Sequence, residues 1–124
     1  MSERINSFRE LNVYAEACAL DLMVFKRTQT FPKEEVYSLT DQVRRSSRSI
    51  GANLAEAWAK RRYPSHFVSK LTDADGELQE TRHWISRAAA YGYLNEGDTR
   101  ALGMQCDSIS AKLGRMIQNP DQFC

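Results

Sequence analysis

Apolar residues recur along this chain at helical spacing in four separate stretches, and no stretch alternates with the period of two that marks a half-buried strand. The first opens at Ser7-Phe8-Arg9-Glu10, where a serine followed three residues later by a glutamate forms a capping box. It predicts a helix over residues 8–28. Leu11, Ala15, Cys18, Leu22 and Phe25 form one apolar stripe, and Val13, Ala17, Leu20 and Val24 supply a second beside it. Phe31-Pro32 ends the pattern, because proline removes a donor and pushes the residue before it out of the α region. A second helix is predicted over residues 38–62, with Leu39, Val43, Ser46 or Ser47, Ile50, Leu54 and Ala57 on one face. The small residues at its centre permit close helix packing.

Tyr63-Pro64-Ser65 marks the next turn, with the proline suited to the first turn of a third helix, predicted over 65–91. Leu71, Ala74, Leu78, Thr81, Ile85 and Ala88 give its core line, and Gly92 followed by Tyr93 and Leu94 reads as its C-terminal glycine stop. Asn95-Glu96-Gly97-Asp98 can cap a fourth helix over 96–118, whose apolar positions are Leu102, Cys106, Ile109, Leu113 and Met116. Asn119-Pro120 ends it, and the last four residues are expected to fray. Four amphipathic segments joined by short turns must be antiparallel neighbours, so the expected fold is an all-α, up-down-up-down four-helix bundle forming a single domain over 1–124.

Composition narrows the class without naming a role. At 124 residues with 42% apolar and 27% charged side chains, the chain is ordinary globular material. The stretch from Met1 to Phe8 is polar and no segment is apolar over the length a bilayer requires, so a cytoplasmic protein with no membrane partner is expected. Cys18, Cys106 and Cys124 are odd in number and widely spaced, which points neither to a disulfide framework nor to a zinc site. Cys18 and Cys106 fall on apolar faces and read as core thiols.

Catalytic chemistry finds little purchase. Bundle di-iron sites need a Glu-x-x-His on each of two helices, and Glu80-Thr81-Arg82-His83 supplies the spacing once only. With Thr81 on the core line, Glu80 and His83 turn outward. No glycine-flanked nucleophile elbow or phosphate-cradling loop surrounds the serines, and His66 and His83 read as surface histidines. No enzyme activity, metal or other cofactor is expected.

Charge is more informative than chemistry. Net charge is only +1, yet from Leu39 to Arg62 the second segment carries Arg44, Arg45, Arg48, Lys60, Arg61 and Arg62 against Asp41 and Glu56. Arg44 and Arg48 share a face, where like charges repel unless an anion is near. A nucleic-acid backbone would serve as that anion. So would Asp73, Glu77 and Glu80, which line one face of the third segment. For Arg44, Arg45 and Arg48 both pairings stay open; for Lys60, Arg61 and Arg62 the choice lies between nucleic-acid contact and a plain solvated helix end.

Aromatic residues form the other loose thread. Trp58, Trp84, Tyr14, Tyr91 and Tyr93 exceed what one thin core needs, and Trp58 and Trp84 fall on the flanks of their core lines. They suit either a helix-to-helix oligomer interface or wider core coverage within one monomer. Arg45, Ser49, Asn53 and Glu56 form a polar stripe beside the second core line, costly to bury unless each group finds a partner, and this favours a specific helix or subunit contact.

Three ordered blocks resemble a known family. They are Phe31-Pro32-x-x-Glu35-x-Tyr37-x-Leu39-Thr40-x-Gln42-Val43-Arg44-Arg45, then Ser49-Ile50-x-x-Asn53-Leu54-Ala55-Glu56, then Glu80-Thr81-x-x-Trp84-Ile85-x-x-Ala88-x-x-x-Gly92-Tyr93-Leu94. The chain resembles, from Phe8 to about Pro120, the bacterial four-helix bundle proteins encoded in intervening sequences of 23S ribosomal RNA genes. That family is related to the accessory variability determinant proteins of diversity-generating retroelements. The resemblance implies a cytosolic homo-oligomer, with a pentameric ring as the family's assembly, and no established enzymatic activity. Its retroelement relatives imply nucleic acid, and a reverse transcriptase, as possible partners. The sequence departs from the family pattern at Ala57, where glycine is common, and at Glu77, where a small serine-like residue is usual.

Two functions are therefore expected in competition. One is a non-enzymatic homo-oligomer, a pentamer, that binds RNA or DNA without base specificity through Arg44, Arg45, Arg48, Lys60, Arg61 and Arg62. Its subunit contacts are expected to involve Asn53, Glu56, Trp58, Glu77 and Trp84. The other is a protein-interaction scaffold with no nucleic acid bound.

Overall fold

Residues 5–124 are described by the computed structural model, so Met1 to Arg4, the first half of the polar N-terminal stretch, lie outside the described residues. Four helices account for the architecture: α1 (Asn12–Thr28), α2 (Leu39–Ala59), α3 (Pro64–Ala90) and α4 (Glu96–Gln118), with no strand among the described residues. Each helix packs on its neighbours in sequence, α4 closes the ring onto α1, and the α2–α3 contact is the most extensive. Cross-helix pairs fix the antiparallel sense. Thr28 meets Arg44 while Tyr14 lies over Gly51; Ser46 meets Thr81 while Glu56 meets Lys70; Arg27 meets Asp98 while Glu16 meets Lys112.

The capping box at Ser7 and Glu10 forms as expected, but it caps a single 3-10 turn, Phe8–Glu10. Leu11 is extended and α1 begins one residue later, so the predicted helix over 8–28 is broken near its start. The two apolar stripes of α1 also exchange roles. At about 100° per residue they lie on roughly opposite sides of the helix and are not adjacent. Val13, Ala17, Leu20 and Val24 face the core, and Leu22 and Phe25 are 50% and 38% exposed. Leu11 alone of the other stripe is buried, because the extended backbone there takes it off the helical register.

Helix α2 ends at Ala59, with Lys60 as its C-cap, so Lys60, Arg61 and Arg62 occupy the turn into α3 and are not its last helical turn. Pro64 begins α3, whose far end is a Schellman motif: Gly92, at φ +82°, donates to the Ala89 carbonyl and Tyr93 donates to the Ala88 carbonyl. Asn95 caps α4 by accepting from the Asp98 amide at 2.7 Å. The C-terminal residues do not fray as expected. They form a 3-10 turn, Pro120–Gln122, that lays Phe123 on the fully buried Phe67 with ring centroids 6.0 Å apart.

The core runs the length of the bundle, from Leu11, Val13 and Met116 at one end to Val43, Ile85 and Leu102 toward the other. A smaller cluster of Phe31, Leu39 and Ala88 closes the end at which the chain leaves α1 and α3. Ser46 in α2 meets Thr81 in α3 within the most extensive helix contact, which the small buried Ala74 also serves, while Gly51 of α2 lets Tyr14 of α1 approach. Among the described residues no helix is long and apolar enough to cross a membrane.

Candidate nucleic-acid interface

The three arginines of the first half of α2 have three different environments. Arg44 donates from Nε to Thr28 Oγ1 at 2.7 Å and lies over the Phe25 ring at 4.8 Å, which fastens α2 to the end of α1. Arg45 bonds Gln42 at 2.9 Å and approaches Glu80 at only 3.9 Å. Arg48 is exposed, with no ion-pair partner within 4.0 Å among the described residues. Its charge still reaches Asp21: burial raises that carboxyl above its ordinary value and Arg48 draws it partly back. Arg45 and Arg48 flank a shallow trough whose remaining walls are Asp41, Ser49 and Ala52. The side chains there are short, so an extended ligand can approach the helix backbone.

Of the pairings left open for these arginines with Asp73, Glu77 and Glu80, only the long Arg45–Glu80 approach forms among the described residues. Asp73 and Glu56 instead share Lys70, at 3.5 and 2.7 Å, a residue the sequence reading passed over. The hydrogen bond from Lys70 holds the Glu56 carboxyl below its ordinary value and the Lys70 ammonium above its own. Glu77 leaves its Oε2 buried without a hydrogen-bond partner among the described residues. Asn53 back-bonds to the Ser49 carbonyl and Ser49 to the Arg45 carbonyl, so the polar stripe of α2 is stitched largely to its own helix.

At the α2–α3 turn, Lys60 and Arg62 are exposed, whereas Arg61 lies 3.9 Å from the Trp58 ring centroid and bonds the Trp58 carbonyl at 2.9 Å. Trp58 itself is only 8% exposed and belongs to the main core. Of the two readings the sequence left open for Trp58, the structure favours wider core coverage, with Arg61 folded over the ring. Twelve positions separate Arg48 from Lys60, about 18 Å along a helix at 1.5 Å per residue, so the two basic groups are separate patches.

Trp84 differs from Trp58. It is half-buried, its indole donates to Glu80 at 3.1 Å, and its ring lines a cleft of about 370 Å³ with Glu35, Ser38, Leu39, Gln42, Tyr91 and Tyr93. The Tyr93 hydroxyl donates to Glu35 at 2.9 Å, and this bond, with burial, raises the phenol above its ordinary value. Glu35 and Tyr93 stand 58 positions apart and were not singled out as a pair, although both fall in blocks of the family resemblance.

No group of three His, Cys, Asp or Glu side chains suited to a metal forms among the described residues. His83 is exposed beside the Trp84 ring, and His66 is exposed beside Tyr63. Burial pushes the Cys106 thiol up to about 11, so it is a protonated core residue.

The arrangement is that of a helical bundle carrying basic patches on its surface. The chain belongs to the 23S rRNA-intervening sequence protein family, whose model matches residues 9–115. Its fold is shared with a crystallised protein of unknown function from the S23 ribosomal protein family of Bacteroides thetaiotaomicron: TM-score 0.75 at 23% identity, covering 85% of this chain and 97% of that one. No curated protein sequence matches it significantly.

Proposed function

We propose that this protein is a non-enzymatic nucleic-acid-binding bundle that contacts phosphates through Arg45 and Arg48 and gains strength by repetition in a homo-oligomer, a pentameric ring being the expected assembly. The observation that carries the reading is Arg48, exposed and without an ion-pair partner among the described residues, beside a weakly paired Arg45 over a trough of short side chains. Two adjacent guanidiniums with spare donors fit successive phosphate oxygens, and such contacts carry no base specificity. Arg44 is committed to Thr28 and Phe25 and Arg61 to Trp58, so both serve the fold first. Lys60 and Arg62 form a secondary patch.

Self-association is favoured by the outer face of α1, where Ala15, Ala19, Leu22 and Phe25 are exposed along one side. A ring of copies multiplies a weak patch through effective concentration. The same face also supports the competing reading, a scaffold that recruits protein alone. Neutralising the two patches separately tests the proposal. Arg45→Gln with Arg48→Gln is expected to weaken binding of a labelled single strand by roughly tenfold or more, and Lys60→Gln with Arg62→Gln by less. Equal, undiminished binding in both double variants refutes the assignment.

A further inference from the structure

We propose that the cleft lined by Trp84, Tyr91 and Tyr93 receives an unpaired base of a single strand whose phosphates lie on Arg45 and Arg48. This deepens the proposed function and rests on it. The cleft and the arginine trough are not independent features, because Gln42 lines the cleft and accepts a hydrogen bond from Arg45, which lines the trough. The arginines of α2 and the aromatic rings of α3 and its C-terminal turn therefore place side by side the two recognition elements a single strand uses, cations for the backbone and rings for the bases.

Four details favour a base over other occupants. The volume, about 370 Å³, lies in the range of small-molecule sites. Tyr91 is 57% exposed and sits edge-on to Tyr93 with centroids 5.8 Å apart, so the pair is not stacked face to face and Tyr91 keeps accessible surface. Arg87 lies over the Tyr91 ring at 5.5 Å, which places a cation beside the cleft aromatics that a neighbouring phosphate of the same strand can use. Glu35, on the wall, repels a phosphate from the cleft itself, yet its carboxylate, already held by the Tyr93 hydroxyl and the Leu39 amide, can accept from the amino group of a base. Each site carries one carboxylate, Asp41 in the trough and Glu35 in the cleft, but only the trough sets two arginines against it, so phosphate is drawn toward Arg45 and Arg48 and the base toward Trp84 and Tyr91.

The test compares two labelled strands of equal length and charge, one carrying bases and one built of abasic sugar phosphates, at low salt. Wild-type protein is expected to bind the base-bearing strand roughly tenfold more tightly. Binding should quench tryptophan fluorescence, and Trp84→Phe should remove the quench. Tyr91→Ala should bring the two affinities together, whereas Tyr91→Phe should keep them apart; thermal melting of each variant confirms its fold. Equal wild-type affinity for the two strands overturns the base site and leaves the phosphate reading standing. Binding of neither strand overturns both. Discrimination that survives Tyr91→Ala, with the cleft aromatics covered on self-association, assigns the cleft to a subunit contact and overturns the proposal.

Discussion

Removing one hydroxyl from the α2–α3 seam tests how that contact is held. Thr81 has no exposed surface, and its Oγ1 lies 2.8 Å from the Glu77 carbonyl and 2.9 Å from Ser46 Oγ. A carbonyl only accepts, so Thr81 donates to Glu77 and its oxygen faces the Ser46 hydroxyl. Thr81→Val keeps the volume and deletes both bonds. Ser46 is not orphaned, because the Val43 carbonyl lies 3.3 Å away, so the loss should be about 1 kcal/mol and not the roughly 3 kcal/mol of a stranded buried group. For a chain of this length that corresponds to a fall in Tm of about 3–5 °C. Ser46→Ala should cost less, since Thr81 retains its bond to Glu77. The double variant should cost no more than Thr81→Val alone, a coupling of about 0.5–1 kcal/mol. Urea unfolding at fixed protein concentration measures all three, the concentration being held because assembly would shift apparent stability. A Thr81→Val protein as stable as wild type, or a cycle with no coupling, refutes the bond as an energetic element.

Other perturbations probe the ends and the α1–α4 seam. Gly92→Ala should destabilise by about 1 kcal/mol because φ is +82° there, and Gly92→Asn by less, as urea unfolding would register. Burial pushes the Glu16 carboxyl up, but bonds from Lys112, at 2.6 Å, and Ser108 outweigh it and hold the group below its ordinary value. Its contribution is therefore present above the unfolded-state pKa of about 4.3 and lost as pH falls through the lower folded value. Glu16→Gln should flatten the acid limb of a stability-against-pH curve; an unchanged limb contradicts the assignment. Phe123→Ala should cost about 1–2 kcal/mol, short of the 3–5 kcal/mol of a fully buried ring, and a neutral result in thermal melting would mean the C-terminal turn contributes nothing.

Helical spacing was enough to place α2, α3 and α4, because each carries a single apolar stripe, with boundaries marked at the end of α3 by Gly92 and at the start of α4 by Asn95, whereas the end of α2 falls at Ala59, short of the predicted Arg62. It misjudged α1, where apolar residues occupy both sides and periodicity cannot say which side meets the core. Val13, Ala17, Leu20 and Val24 won because they complete a face shared with α2 and α4, a tertiary fact. The same limit hid the fate of Trp58, whose burial depends on Arg61 folding back over it. In the candidate site, the excess of cations on α2 was legible, but their division was not. Only packing against α1 commits Arg44 to Thr28, and only the position of Lys70 takes Glu56 and Asp73 away from the arginines. The cleft was invisible for a related reason, since Glu35, Gln42 and Trp84 come from three separate segments.

Titration of wild-type protein with a labelled single strand and a labelled duplex between about 50 and 200 mM salt, with light-scattering mass on the same samples, tests the phosphate-binding claim most directly. The account predicts an oligomer, affinity that falls steeply with salt and is indifferent to sequence on the duplex, and a slope reduced by roughly one for each arginine removed in Arg45→Gln and Arg48→Gln. Absence of binding at low salt, or binding that salt leaves unchanged, would contradict it.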